Sequence, residues 1–126
     1  MFKVLLAGSG GFIGSILRYL IGICVYPWTN STKFPFGTLV VNLIGCLVIG
    51  LLSQLADARG VFTAEARVFI FVGVLGGFTT FSSFGNETVD LWRGGKEMFA
   101  FVNIIGHLIL GLSTVWLGRL LASQLQ

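Results

Sequence analysis

The chain has 126 residues, 55% of them apolar and 10% charged, with a mean hydropathy of +0.92. Five acids and eight bases cannot cover the surface of a soluble globule, for which about a quarter of residues are charged. A disordered tail is excluded by the same figures, because disorder requires low hydrophobicity. The net charge of +3 is spread singly over Lys3, Arg18, Lys33, Arg59, Arg67, Arg93, Lys96 and Arg119. Nucleic-acid binding would need these clustered on one face.

A bilayer core about 30 Å thick is crossed by about 20 apolar residues in a helix. Four stretches meet that length: residues 4–26, 36–55, 68–86 and 98–118. They predict a single all-α integral membrane domain with four transmembrane helices. The first carries Arg18 about two-thirds along it. Lys3 followed by an apolar run also resembles a signal peptide, but the run is Gly-rich and has no A-x-A cleavage site. Within it, Gly8, Gly11 and Gly14 imitate the glycine turn of a dinucleotide-binding fold. The acid required about 20 residues later is missing, and no βαβ units follow. The glycines are better read as small-xxx-small pairs, Ala7/Gly11 and Gly10/Gly14, that bring helices close together.

The first connector, starting at Pro27, leads to the second span, where Thr38, Asn42 and Gly45/Cys46 share a face. Asn42 offers either a helix–helix hydrogen bond or uncharged donors to an anion. Next comes a connector in which Thr63 is placed to cap the third helix, with Glu65 in its first turn. The third span, with Gly76-Gly77-Phe78-Thr79-Thr80-Phe81-Ser82-Ser83-Phe84, has poor helix chemistry in its middle. The paired glycines and the β-branched threonines both lower helix propensity, and a break is expected there, with Gly76 and Gly77 allowing it. Backbone carbonyls exposed at membrane depth are tolerated only in a protein-lined cavity, where they suit a small hard cation. Phe81 and Phe84, three apart, lie on one face. Their ring edges carry partial positive charge and can touch an anion.

In the fourth span, Asn103, His107, Gly111, Thr114 and Gly118 form one polar-or-small stripe. Cys24 and Cys46 read as separate buried thiols, and no grouping of residues suggests an enzyme. Arg18 is read either as snorkelling to the interface or as a buried charge that pairs with Glu87 or attracts anions. Trp28, Trp92 and Trp116 fall at span ends. With four spans, one side holds Lys3, Arg59, Arg67 and Arg119, and the other holds Lys33, Arg93 and Lys96. That bias of one base is too small to fix orientation by the positive-inside rule. Insertion both ways and pairing with an inverted copy are therefore expected, as a C2-related homodimer.

Four stretches carry a family likeness: Gly10 to Tyr19; Gly37 to Gly45; Gly73 to Phe84; and Glu87. With them the chain resembles the Fluc family of small bacterial fluoride channels, over nearly its whole length. The resemblance implies an antiparallel, dual-topology homodimer in the bacterial inner membrane, with two fluoride pathways that lower cytoplasmic fluoride and confer resistance to it. It implies that Phe81 and Phe84 line the path with ring edges, and that Asn42 donates its amide to the ion. Thr38 and Ser83 would be flanking hydroxyls. Asn103, His107 and Thr114 would form a secondary polar track, and Arg18 and Glu87 supporting charges. The carbonyls of Gly76 and Thr79 would be ligands of a structural Na+ at the dimer interface. Where relatives often carry hydroxyls in the fourth span, this chain has Gly111. The competing reading is a small multidrug-type proton-coupled cation antiporter. That class needs a carboxylate in the first span, and this first span has none. A non-transporting helical assembly factor is a third class.

Overall fold

A computed structural model of the chain describes residues 1–29 and 33–125. It is all-helical. Helix α1 is Phe2–Thr29 and α2 is Phe36–Arg59. Helix α3 covers residues 64–78: it opens as Ala64–Arg67, widens into a π-helical stretch over Val68–Leu75, and closes with Gly76–Phe78. Helix α4 is Phe81–Arg93 and α5 is Glu97–Ser123. Together they make four stretches long and apolar enough to cross a membrane, with α3 and α4 sharing the third. Each contains one of the windows expected from sequence. The first helix runs on through Pro27 to Thr29, further than the connector assigned there. Asn30, Ser31 and Thr32 of that connector lie outside the described residues.

Most of each span looks outward. Only 11–22% of the residues in each apolar window are buried within the chain, so lipid or another protein must cover the remainder. Exposed side chains include Phe12, Trp92, Trp116 and Phe81. The chain is a multi-pass membrane protein.

Two close helix pairs build the bundle. Helix α1 packs along α3, and α2 packs along α5. The first pair is a glycine seam. A Cβ placed on Gly77 would lie 2.6 Å from the Gly11 carbonyl oxygen and 2.9 Å from Gly11 Cα. One on Gly73 would lie 2.8 Å from Gly10 Cα. Gly10 and Gly14 meet the backbone at Phe69 and Val74 in the same way. Such backbone approach leaves no room for side chains. The Gly8–Gly14 segment thus lies within a continuous helix; Gly10, Gly11 and Gly14 serve packing, while Gly8 faces open space. The α2–α5 pair is equally close: a Cβ on Gly118 would meet Leu51 N at 2.8 Å, and one on Gly50 would meet Val115 C at 2.9 Å.

The expected cap at the start of α3 forms: Thr63 Oγ1 accepts from Ala66 N–H at 3.2 Å. The expected role of the glycine pair does not. Gly76 and Gly77 are both helical, and Gly77 is required for contact with α1. The extended residues are the next two, Thr79 (φ −80°, ψ 156°) and Thr80 (φ −149°, ψ 113°).

Candidate functional site

The backbone at Thr79 and Thr80 is held by three side chains. Asn42, on α2, reaches across and takes both polar groups of Thr80. Thr80 N–H donates to Asn42 Oδ1 at 2.9 Å, and Asn42 Nδ2 donates to the Thr80 carbonyl at 3.2 Å. Thr80 then caps α4: its Oγ1 accepts from Ser83 N–H at 3.1 Å. Thr79 Oγ1 turns back to the Leu75 carbonyl at 2.9 Å. Thr80 is only 8% exposed, so its amide groups need these partners.

These bonds have a consequence for two carbonyls. In an unbroken helix, Thr80 N–H would bond to the Gly76 carbonyl and Ser83 N–H to the Thr79 carbonyl. Here Thr80 N–H goes to Asn42, and Ser83 N–H goes to Thr80 Oγ1. The carbonyls of Gly76 and Thr79 are thereby released from the helical ladder. Freed carbonyl oxygens are hard ligands suited to a small cation, so this pair of residues fits the Na+ role that the family resemblance assigns to it. Gly45 makes room for the turn, since a Cβ there would collide with Thr79 Cγ2.

A cavity of about 470 Å³ opens beside the turn. Asn42, Thr80, Phe81, Phe84 and His107 all line it, with Gly76 and Thr79. The Phe81 and Phe84 ring centroids lie 5.4 Å apart, tilted by 57°. Phe84 in turn packs against the His107 ring at 4.4 Å. Phe81 is 82% exposed within the single chain. The cavity thus has one amide, an imidazole, two threonines, a thiol and the rings of Phe71, Phe81 and Phe84 in a wall that is otherwise aliphatic or glycine.

The remaining singled-out residues stand elsewhere. Thr38 and Ser83 line a separate cavity of about 350 Å³ with Ser15 and Arg18, and Thr80 is common to both cavities. Thr38 Oγ1 donates to Glu87 Oε1 at 2.6 Å. The reading in which Arg18 pairs with Glu87 is therefore corrected. Arg119 forms an ion pair with Asp57 at 3.4 Å, and a hydroxyl holds Glu87. The second Glu87 oxygen is buried without a partner. The α5 stripe also divides. Asn103 is fully buried, and its Nδ2 donates to Thr88 Oγ1 at 2.9 Å. Thr114 Oγ1 bonds to carbonyls of its own helix. Gly118 faces α2, and a Cβ on Gly111 would lie 3.7 Å from Cys46 Sγ. Of the three polar members, His107 is the one that lines the Phe81/Phe84 cavity.

Sequence reasoning passed over Thr80 and Thr88. Thr80 had a visible signal: a Thr at the end of a poor-helix stretch, with Ser82 and Ser83 following, is an N-cap pattern. Thr88 had none, because its bridge from the Phe84 carbonyl to Asn103 is tertiary.

With this geometry in hand, comparison with known proteins is decisive. The family described as "CrcB-like protein, Camphor Resistance (CrcB)" matches residues 5–119. The chain belongs to this CrcB-like family. Its relatives include a protein of Chlorobaculum tepidum, 44% identical over 126 residues and covering 100% of this chain and 98% of that one. One of Methylobacillus flagellatus is 43% identical over 118 residues, covering 94% of this chain and 92% of its own. One of Ruminiclostridium cellulolyticum is 42% identical over 125 residues, covering 99% and 95%. All three carry the name "Fluoride-specific ion channel FluC". The CrcB-like assignment covers all four spans, the Asn42–Thr80 turn and the cavity beside it.

Proposed function

We propose that this CrcB-like chain is a fluoride-selective channel of the bacterial inner membrane, through which accumulated fluoride leaves the cell passively. The observation that carries the reading is the cavity wall itself: Asn42, Phe81 and Phe84 together, in a family whose curated relatives are named for fluoride. Fluoride is strongly hydrated, so replacement contacts must be good enough to strip water and weak enough to release the ion. One Asn42 Nδ2 hydrogen is committed to Thr80. An amide has a second, and that one is offered to the ion. The Phe81 and Phe84 edges add weak positive contacts without charge. A fixed Lys or Arg in this wall would trap the anion. Thr38 and Ser83 serve the approach from the neighbouring cavity, with Arg18 supplying positive potential there.

The working unit is an antiparallel homodimer with two pathways. The near-even split of basic residues between the two faces favours insertion in both orientations. Exposure of Phe81 and of the outward faces of the spans leaves ample surface for a partner copy. The released carbonyls of Gly76 and Thr79, from both protomers, would hold a structural Na+ at the interface. Bound there, the ion would supply positive charge that ties the two broken spans together. The antiporter reading lacks its central group, since α1 contains no carboxylate.

Reconstitution tests the function. Proteoliposomes loaded with fluoride should empty through the purified dimer, while chloride-loaded vesicles should not. Retention of fluoride by vesicles containing folded protein would overturn the reading. Cysteines placed at Val61 and Gly95 should each label from both sides of native membranes; strictly one-sided labelling would refute dual topology.

A further inference from the structure

We propose that Nε2 of His107 is a proton-dependent anion contact: neutral, it turns a lone pair on the ion in the Phe81/Phe84 cavity, and protonated, it turns an N–H donor on it. This deepens the channel reading of the site and rests on it.

The tautomer follows from the partner. His107 Nδ1 lies 3.0 Å from the Asn103 carbonyl oxygen, one turn earlier on α5. A carbonyl only accepts, so Nδ1 carries the hydrogen. Neutral imidazole has a single N–H, which leaves Nε2 bare. That atom is buried and has no hydrogen-bond partner. The ring it belongs to packs on Phe84 and lines the cavity shared with Asn42 and Phe81. A bare lone pair opposes an anion. Nε2 can gain a hydrogen while Nδ1 keeps its carbonyl only when the ring becomes imidazolium.

The neighbouring titratable groups are few. Helix α2 brings the Cys46 thiol into this cavity. The residues of α1 stay out of it, and those of α3 and α4 that line it are not ionisable. Glu87 sits one turn beyond Phe84 on α4. It lines a different cavity and is held by Thr38. The proton on His107 and the anion therefore favour each other's binding, as linkage requires.

The chain has one histidine, so ¹⁵N-histidine NMR of the purified dimer reads this ring alone. At high pH the spectrum should show the Nδ1–H tautomer. Replacing chloride by fluoride should raise the ring's titration midpoint. In proteoliposomes, with protein-free vesicles subtracting the passage of hydrogen fluoride through lipid, fluoride efflux should rise several-fold as pH is lowered through the midpoint that the ring spectra give. His107→Gln, which keeps a donor at every pH, should flatten that profile, whereas Glu87→Gln and Cys46→Ser should keep its slope. An Nε2–H tautomer, a midpoint indifferent to fluoride, a flat wild-type profile, or a slope that survives His107→Gln would each overturn the proposal. Absence of fluoride efflux at every pH would instead strike the channel reading. The ring spectra, which need no conduction and use the wild-type chain, then decide the anion contact by themselves.

Discussion

Asn42 is the residue whose replacement tests the architecture of the site most sharply. Asn42→Ala removes both bonds to Thr80, the 2.9 Å acceptor and the 3.2 Å donor. Thr80 is almost wholly buried, so its N–H and carbonyl are left without partners. Interhelical hydrogen bonds in membrane proteins measure about 0.6–1.7 kcal/mol each, and an unsatisfied buried group costs about 1–3 kcal/mol. Two bonds, with the cavity letting water reach part of the turn, give a loss of about 1–4 kcal/mol. Thr80 N–H would then be free to return to the Gly76 carbonyl and straighten the span. Unfolding of the detergent-solubilised protein in a denaturant series measures the first effect, and fluoride efflux the second. A variant within about 0.5 kcal/mol of wild type, the level of an ordinary surface change, with undiminished efflux would refute the assignment of Asn42 as clamp of the turn and donor to the ion.

The other predictions follow from single contacts. Gly77→Ala should lose about 1–3 kcal/mol by overpacking against Gly11 in α1, whereas Gly8→Ala, with open space at its Cβ, should gain up to about 1 kcal/mol of helix propensity; equal unfolding midpoints for the two would contradict the glycine seam. Gly45→Val should displace Thr79 and depress fluoride efflux, and unchanged efflux would remove Gly45 from the site's support. Phe81→Ile and Phe84→Ile should each cut fluoride throughput while the dimer still assembles, read by efflux and size-exclusion chromatography; wild-type rates in both would reject the aromatic contacts.

The four spans were legible because so few charges interrupt them, and each expected window lies inside one of the observed spans. The glycine seam was legible too, since small residues four apart have one main use in lipid. The irregular stretch of the third span was located, but its cause was misjudged. Propensity pointed to the glycine pair as well as the threonines, yet Gly76 and Gly77 stay helical, with Gly77 packed on α1. The extended pair is Thr79 and Thr80, chosen by the Asn42 side chain 38 residues away. No local pattern encodes that contact. Sequence spacing likewise could not show that Glu87 accepts from Thr38, because that partner comes from another helix. His107 shared a periodic stripe with Asn103 and Thr114, but only packing against Phe84 separates it from them.

The central claim is passive, selective passage of fluoride through this one chain's dimer. Its most direct test is the current across a planar bilayer containing the purified protein, with fluoride on one side and chloride on the other. The account predicts a current carried by fluoride alone, with a reversal potential set by the fluoride gradient and unmoved by a proton gradient at fixed cavity protonation. A reversal potential that follows chloride, or one that tracks the proton gradient as coupled exchange requires, would contradict it.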